Sequence, residues 1–102
     1  MDADFVAYIG PAGLHDGQIL RVQSEQETYT VWIESESGRH FAIKFSRVLR
    51  TVVDSPVGMM LYALCEMRYK PPYRRFVFGN ADAEDTAKLE VIAGNYEVID
   101  NP

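Results

Sequence analysis

The 102-residue sequence has one cysteine, two histidines and one tryptophan. A single thiol, Cys65, excludes an intramolecular disulfide and the multi-cysteine spacing of a structural zinc site, and points to a reducing, cytoplasmic setting. Two histidines, His15 and His40, leave little for a metal centre. No apolar run approaches the about 20 residues that span a bilayer, and the N-terminus carries Asp2 and Asp4 where a signal peptide would be basic. Neither export nor a membrane location is expected. Repeats and low-complexity segments are also missing. What is present is ordinary globular composition, 47% hydrophobic and 25% charged, in a length that suits one domain over residues 1–102.

The net charge of −5 is unevenly spread. Residues 1–38 hold seven acids and one base, residues 39–75 eight bases and two acids, and residues 76–102 six acids and one base. Pairing of oppositely charged neighbours across a sheet accounts for such alternation.

Two-residue periodicity dominates. In "ETYTVWIESE" Tyr29, Val31 and Ile33 fall on one face and Thr28, Thr30, Trp32 and Glu34 on the other; "RHFAIKFS" places Phe41, Ile43 and Phe45 together, which makes residues 28–45 a hairpin. "QILRVQS" is a strand before it, and "VLRTVVD" is a fourth strand or a bent extension of the third. "RRFVFG" aligns Phe76 with Phe78, and "KLEVIAGNYEVID" shifts phase across Gly94-Asn95, as a β-bulge or tight turn would require. Residues 55–68 read as helix, with Ser55 as N-cap, Pro56 at the first position, and Met59, Met60, Ala63, Leu64 and Met67 at helical spacing; Leu61, Ala63, Cys65 and Met67 also alternate, so strand is the competitor. The expected fold is therefore α+β and β-dominated, an antiparallel, twisted, partly rolled sheet of about five to seven strands with about one helix near residues 56–67.

Several residues could carry chemistry. His15-Asp16 in "AGLHDGQIL" matches the dyad of metal-dependent phosphohydrolases, yet the other ligands such a centre needs are missing. The dipeptide reads better as a turn, with Asp16 in an Asx-type bond before Gly17 and His15 bonded to backbone. Cys65, between Leu64 and Glu66, is core filler. No catalytic residue, metal or cofactor is assigned. "RYKPPYRRF" interleaves cations with Tyr69 and Tyr73, but the acidic whole opposes nucleic acid and favours a protein-binding loop or a solvated connection. "NADAEDTA" clusters Asp82, Glu84 and Asp85 without EF-hand spacing and reads as a solvated loop rather than a calcium site. Trp32 projects from the polar face of its strand, either beneath the expected helix, which is preferred, or as an exposed interface anchor.

The segments "LHDGQIL", "FAIKFSRV", "MLYALCEM", "RRFVFGN" and "LEVIAGNYEVI", spanning most of residues 13–99, resemble small bacterial proteins of uncharacterised function, some of them similar to immunity proteins of toxin systems. The resemblance implies a β-rich bacterial domain and transfers no active-site residue. The expected function is a non-enzymatic, immunity-like protein-binding module that steers a basic partner and docks through Trp32, Tyr69, Tyr73, Asp82, Glu84 and Asp85. The alternatives are a small metal-binding protein or hydrolase using His15, Asp16 and His40, and a homo-oligomeric accessory protein joined through residues 57–67.

Overall fold

The computed structural model describes residues 4–102, which form seven strands and, among the described residues, no helix. They are β1 (Phe5–Ile9), β2 (Gln18–Glu25), β3 (Thr28–Glu34), β4 (His40–Asp54), β5 (Leu61–Met67), β6 (Arg74–Asn80) and β7 (Lys88–Asp100). All pair antiparallel in the order β1-β5-β6-β7-β4-β3-β2. The sheet rolls until the start of β2 reaches the approach to β5. There Gln18 bridges Met60, Leu61 N–H donates to Gly17 O (2.8 Å), and Ile19 N–H to Met59 O (3.0 Å). The contact is brief, so the roll is closed at one corner only.

The period-two faces read from the sequence are the faces of this roll. Tyr29, Val31 and Ile33 of β3 lie opposite Phe45, Ile43 and Phe41 of β4, all fully or nearly buried. Phe76 and Phe78 of β6 and Leu89 and Val91 of β7 complete the same core. Aromatic rings fill its middle: Phe45 lies 5.0 Å from Phe76 and 6.0 Å from Phe78, with Tyr96 5.4 Å from Phe76.

Two long strands make the bend. β4 runs for 15 residues and β7 for 13, paired along most of their length, and the register slips between Val48 and Arg50. Arg47 has φ +52°, and its guanidinium lies where a Cβ on Gly94 would stand, 2.7 Å from Nε. A side chain at residue 94 would displace that arginine, so glycine leaves room for the Arg47 side chain to lie over β7. "VLRTVVD" is thus a bent extension of the third sequence-read strand; the irregularity expected at Gly94-Asn95 of β7 lies instead in β4, where Leu49 is the extra residue between the Val48↔Ala93 and Arg50↔Ile92 pairs.

The helix near residues 56–67 is not there. Ser55 has φ +46°, outside the extended backbone an N-cap uses, and residues 56–59 make a tight turn in which Met59 N–H donates to Pro56 O (3.0 Å) with Gly58 at φ +92°. Residues 61–67 are β5, bonded to β1 and β6. Leu61, Leu64 and Met67 are its buried positions: the register shift between Leu61 and Ala63 brings Leu61 and Leu64 to the same core, while Met67, three regularly paired residues further on, is buried on the opposite face. A bulge thereby imitates helical periodicity, and pairing on both sides outweighs the helix propensity of Met, Leu and Ala. The fold is all-β. β1, "FVAYI", is an additional strand ahead of those read from the sequence.

One core group is unsatisfied. Tyr29 is 3% exposed, its hydroxyl has no hydrogen-bond partner among the described residues, and burial pushes its pKa above the ordinary phenol value. A buried unpaired hydroxyl costs about 1–3 kcal/mol. Tyr29→Phe removes the oxygen and keeps the ring, and is expected to stabilise the fold by about 1 kcal/mol in chemical denaturation. A loss of stability instead would show that the hydroxyl is bonded.

Candidate functional site

β1 is held on one side only. It pairs with β5 from Phe5↔Met67 to Ile9↔Leu64, and its other edge is unpaired among the described residues. None of its five residues is charged, and Val6 and Tyr8 stand out from it, 50% and 64% exposed. Natural edges are usually blunted by lysine, proline or charge. Here only the register shift between Phe5 and Ala7 interrupts the strand.

Beside β1 runs a crevice of about 330 Å³ whose walls include Tyr8, Ile9, Leu14, His15, Tyr62 and Leu64. The "AGLHDGQIL" turn forms one wall. Asp16 has φ +67°, which Asp tolerates better than most residues, and its N–H donates to Leu61 O (2.8 Å). Gly17 is buried where a Cβ would lie 3.0 Å from Leu14 O and 3.1 Å from Ile33 Cγ2, so the turn fits closely against β3. His15 Nδ1–H donates to Tyr62 O at 2.5 Å, as expected of a histidine bonded to backbone, and its ring meets Tyr62 edge-on at 5.4 Å. The Asx-type bond expected of Asp16 gives way to a different contact. Gly17 N–H donates to Leu14 O (2.9 Å), and the Asp16 carboxylate lies 3.5 Å from His15 Nε2. Because a carbonyl only accepts, Nδ1 carries the hydrogen, and in the neutral ring Nε2 is free to accept from a ligand at the crevice mouth.

His40 is engaged elsewhere, with Nε2 2.6 Å from Glu34 Oε2 across the β3–β4 pair. Among the described residues no group of three or more His, Cys, Asp or Glu side chains could hold a metal ion. Cys65 is half-buried on β5, and burial pushes its thiol pKa up, away from the thiolate a nucleophile needs.

The six residues expected to bind a partner do not form one surface. Tyr69 and Tyr73 sit in the β5–β6 connection, where the Pro71–Pro72 bond is cis. Asp82, Glu84 and Asp85 sit in the β6–β7 connection, at the opposite end of the seven-residue β6, about 23 Å away along the strand. Two of those carboxylates shape the loop. Asp82 Oδ1 accepts from Glu84 N–H (3.0 Å), and Asp85 accepts from Asn80 Nδ2 (3.0 Å) and Ala87 N–H (3.2 Å). The Asn80 and Ala87 bonds hold the Asp85 carboxyl below its usual pKa.

Trp32 is on β3, three positions from β6 in the sheet order. With no helix to cover it, it is half-buried by a different device: the Arg21 guanidinium lies 3.8 Å from the ring centroid, and the ring packs beside Ala42 and Ile99 in a shallow groove of about 230 Å³. The preferred sequence reading of Trp32 is thus corrected. Its cover is a cation on the neighbouring strand.

Sequence reasoning missed the β1 edge. Its signal was available, four β-favouring residues, Phe5, Val6, Tyr8 and Ile9, in a run of five without charge. Among the described residues no helix is long and apolar enough to cross a membrane. No family model, curated protein or solved structure matches the chain.

Proposed function

We propose that the protein is a non-enzymatic protein-binding module that takes an extended segment of a basic partner along β1. The observation that carries this reading is the uncharged, one-sided edge strand with Val6 and Tyr8 exposed beside an apolar crevice. An added strand would gain main-chain hydrogen bonds from β1, and its alternate side chains would reach the crevice between Tyr8 and Tyr62. His15 Nε2 and the Asp16 carboxylate, whose side chain is 53% exposed, accept from a partner's lysine or arginine at the crevice mouth. The net charge of −5 attracts such a partner at long range. The resemblance to immunity proteins of toxin systems points the same way.

The test is affinity capture from the source cell with wild-type protein and with a Val6→Lys/Tyr8→Lys variant, identifying what co-purifies by mass spectrometry. Both residues are exposed, so the variant should melt with the wild type. The expected result is a basic protein retained by wild type and reduced at least tenfold by the variant. Equal recovery by both, or no specific partner for wild type, would overturn the reading.

A further inference from the structure

On the outer face of the roll, where the chain enters β1 at Asp4, the basic middle of the sequence converges. Arg50 and Val52 of β4, Lys88, Glu90 and Ile92 of β7, Arg75 of β6, and Arg68 and Tyr69 just after β5 line a groove of about 590 Å³. Pairing sets their places. Arg50 is opposite Ile92, Ile92 opposite Arg75, and Arg75 opposite Met67, which precedes Arg68. One row across four strands therefore brings three arginines to the same trough.

The ion pairs are unevenly shared. Glu90, 9% exposed, accepts from Arg75 Nε (2.7 Å) and lies 3.7 Å from Lys88 Nζ. Arg50 and Arg68 form no ion pair or side-chain hydrogen bond among the described residues. Among the described residues lining the groove, four cations thus face two carboxylates, Asp4 and Glu90, a surplus of two positive charges on a molecule whose net charge is −5. Guanidinium forks on opposite walls suit the oxygens of a phosphate, which carries about −1.5 to −2 at neutral pH. The groove is far larger than a phosphate ion, and its floor, Val52 and Ile92, is apolar with Tyr69 at the rim. A polyanion such as nucleic acid would be opposed by the net charge of −5.

We propose that this groove binds a single phosphate monoester, with the phosphate between Arg50 and Arg68 and the organic group on Val52, Ile92 and Tyr69. The site is distinct from the β1 edge and does not depend on it. The experiment is a calorimetric titration of the full chain with phenyl phosphate, inorganic phosphate and a phosphoserine peptide, with amide shifts mapped by NMR. Phenyl phosphate is expected to saturate, to move amides near residues 50, 68, 75 and 92, and to bind about tenfold tighter than inorganic phosphate. An Arg50→Gln/Arg68→Gln variant should lose at least tenfold, while Arg39→Gln should bind as wild type. Tighter binding of the peptide than of phenyl phosphate would support a protein-borne phosphate as the source, and the reverse order a small molecule. Absence of saturable binding, undiminished binding by the double variant, or equal affinity for inorganic phosphate would overturn the proposal.

Discussion

Replacing Phe45 by alanine is expected to destabilise the protein by about 4 kcal/mol and to lower its melting temperature by about 20 °C. Phe45 is fully buried at the centre of the aromatic cluster, with Phe76, Phe78 and Tyr96 at ring-centroid distances of 5.0, 6.0 and 6.5 Å. Removing the ring forfeits its transfer energy and opens a cavity between the rings of β6 and β7, beside Tyr29 of β3. The rolled sheet cannot collapse to fill it without breaking ladders on both sides. Since domains of this size are stable by about 5–15 kcal/mol, a large share of the total is at stake. Leu49→Ala on the same strand is the control, because Leu49 is 52% exposed and its truncation should change stability by less than about 0.5 kcal/mol. A loss below about 1.5 kcal/mol for Phe45→Ala would mean that this ring does not organise the core.

The second large effect concerns Arg75 and Glu90. The Glu90 side chain is 11% exposed and the Arg75 side chain 37%, and both Nε (2.7 Å) and Nη2 (2.5 Å) of Arg75 reach Glu90 Oε1. Arg75→Ala strands the carboxylate in a largely dry setting with Lys88 at 3.7 Å as its remaining cation. Breaking a fully buried pair costs about 3–5 kcal/mol; the partial exposure of Arg75 reduces that to about 2 kcal/mol. Arg75→Leu/Glu90→Leu should recover most of the loss, because removing both charges removes the desolvation cost as well. The contrast is Arg39, paired with Asp100 by side chains 47% and 57% exposed, where Arg39→Ala should change stability by less than about 0.5 kcal/mol. Urea denaturation at low and high salt separates the two cases, since only an exposed pair is screened away. An Arg75→Ala loss within about 0.5 kcal/mol would show that water already solvates Glu90.

The strands with a clean inside and outside were readable, and the reason is burial. Tyr29, Val31 and Ile33 alternate because one face of β3 meets the core and the other meets solvent, and the same holds for Phe41, Ile43 and Phe45. β5 was not readable. It is hemmed by β1 on one side and β6 on the other, a register shift turns Leu61 and Leu64 to the core, and Met67 is buried on the other face, so its buried residues fall at positions 61, 64 and 67, a spacing that local pattern assigns to a helix. Sequence shows the period but not the partners that interrupt it.

The candidate sites were less legible for a different reason. Charge runs such as "NADAEDTA" advertise themselves in sequence, yet Asp82 and Asp85 are engaged in their own loop. "FVAYI" advertises a strand but not an edge, because an unpaired edge is a property of the sheet order. The basic groove needs four strands in register before Arg50, Arg75 and Arg68 meet. Its residues were visible as the basic middle segment, but their convergence was not.

The pairing of β4 with β7 also governs how the chain can reach this state. Phe41 is partnered by Asp100 and Asp54 by Lys88, so the longest ladder in the sheet joins segments far apart in sequence. β7 lies between β6 and β4 in the sheet order and must be inserted there, whereas most other neighbours can pair early as local hairpins. Until residues 88–100 arrive, the two halves of the roll can meet only at the Gln18–Met60 corner, and Phe45 and Phe76 face an open seam. Folding should therefore be all-or-none and slow for a chain of this length, in the millisecond-to-second range of folds dominated by non-local pairing.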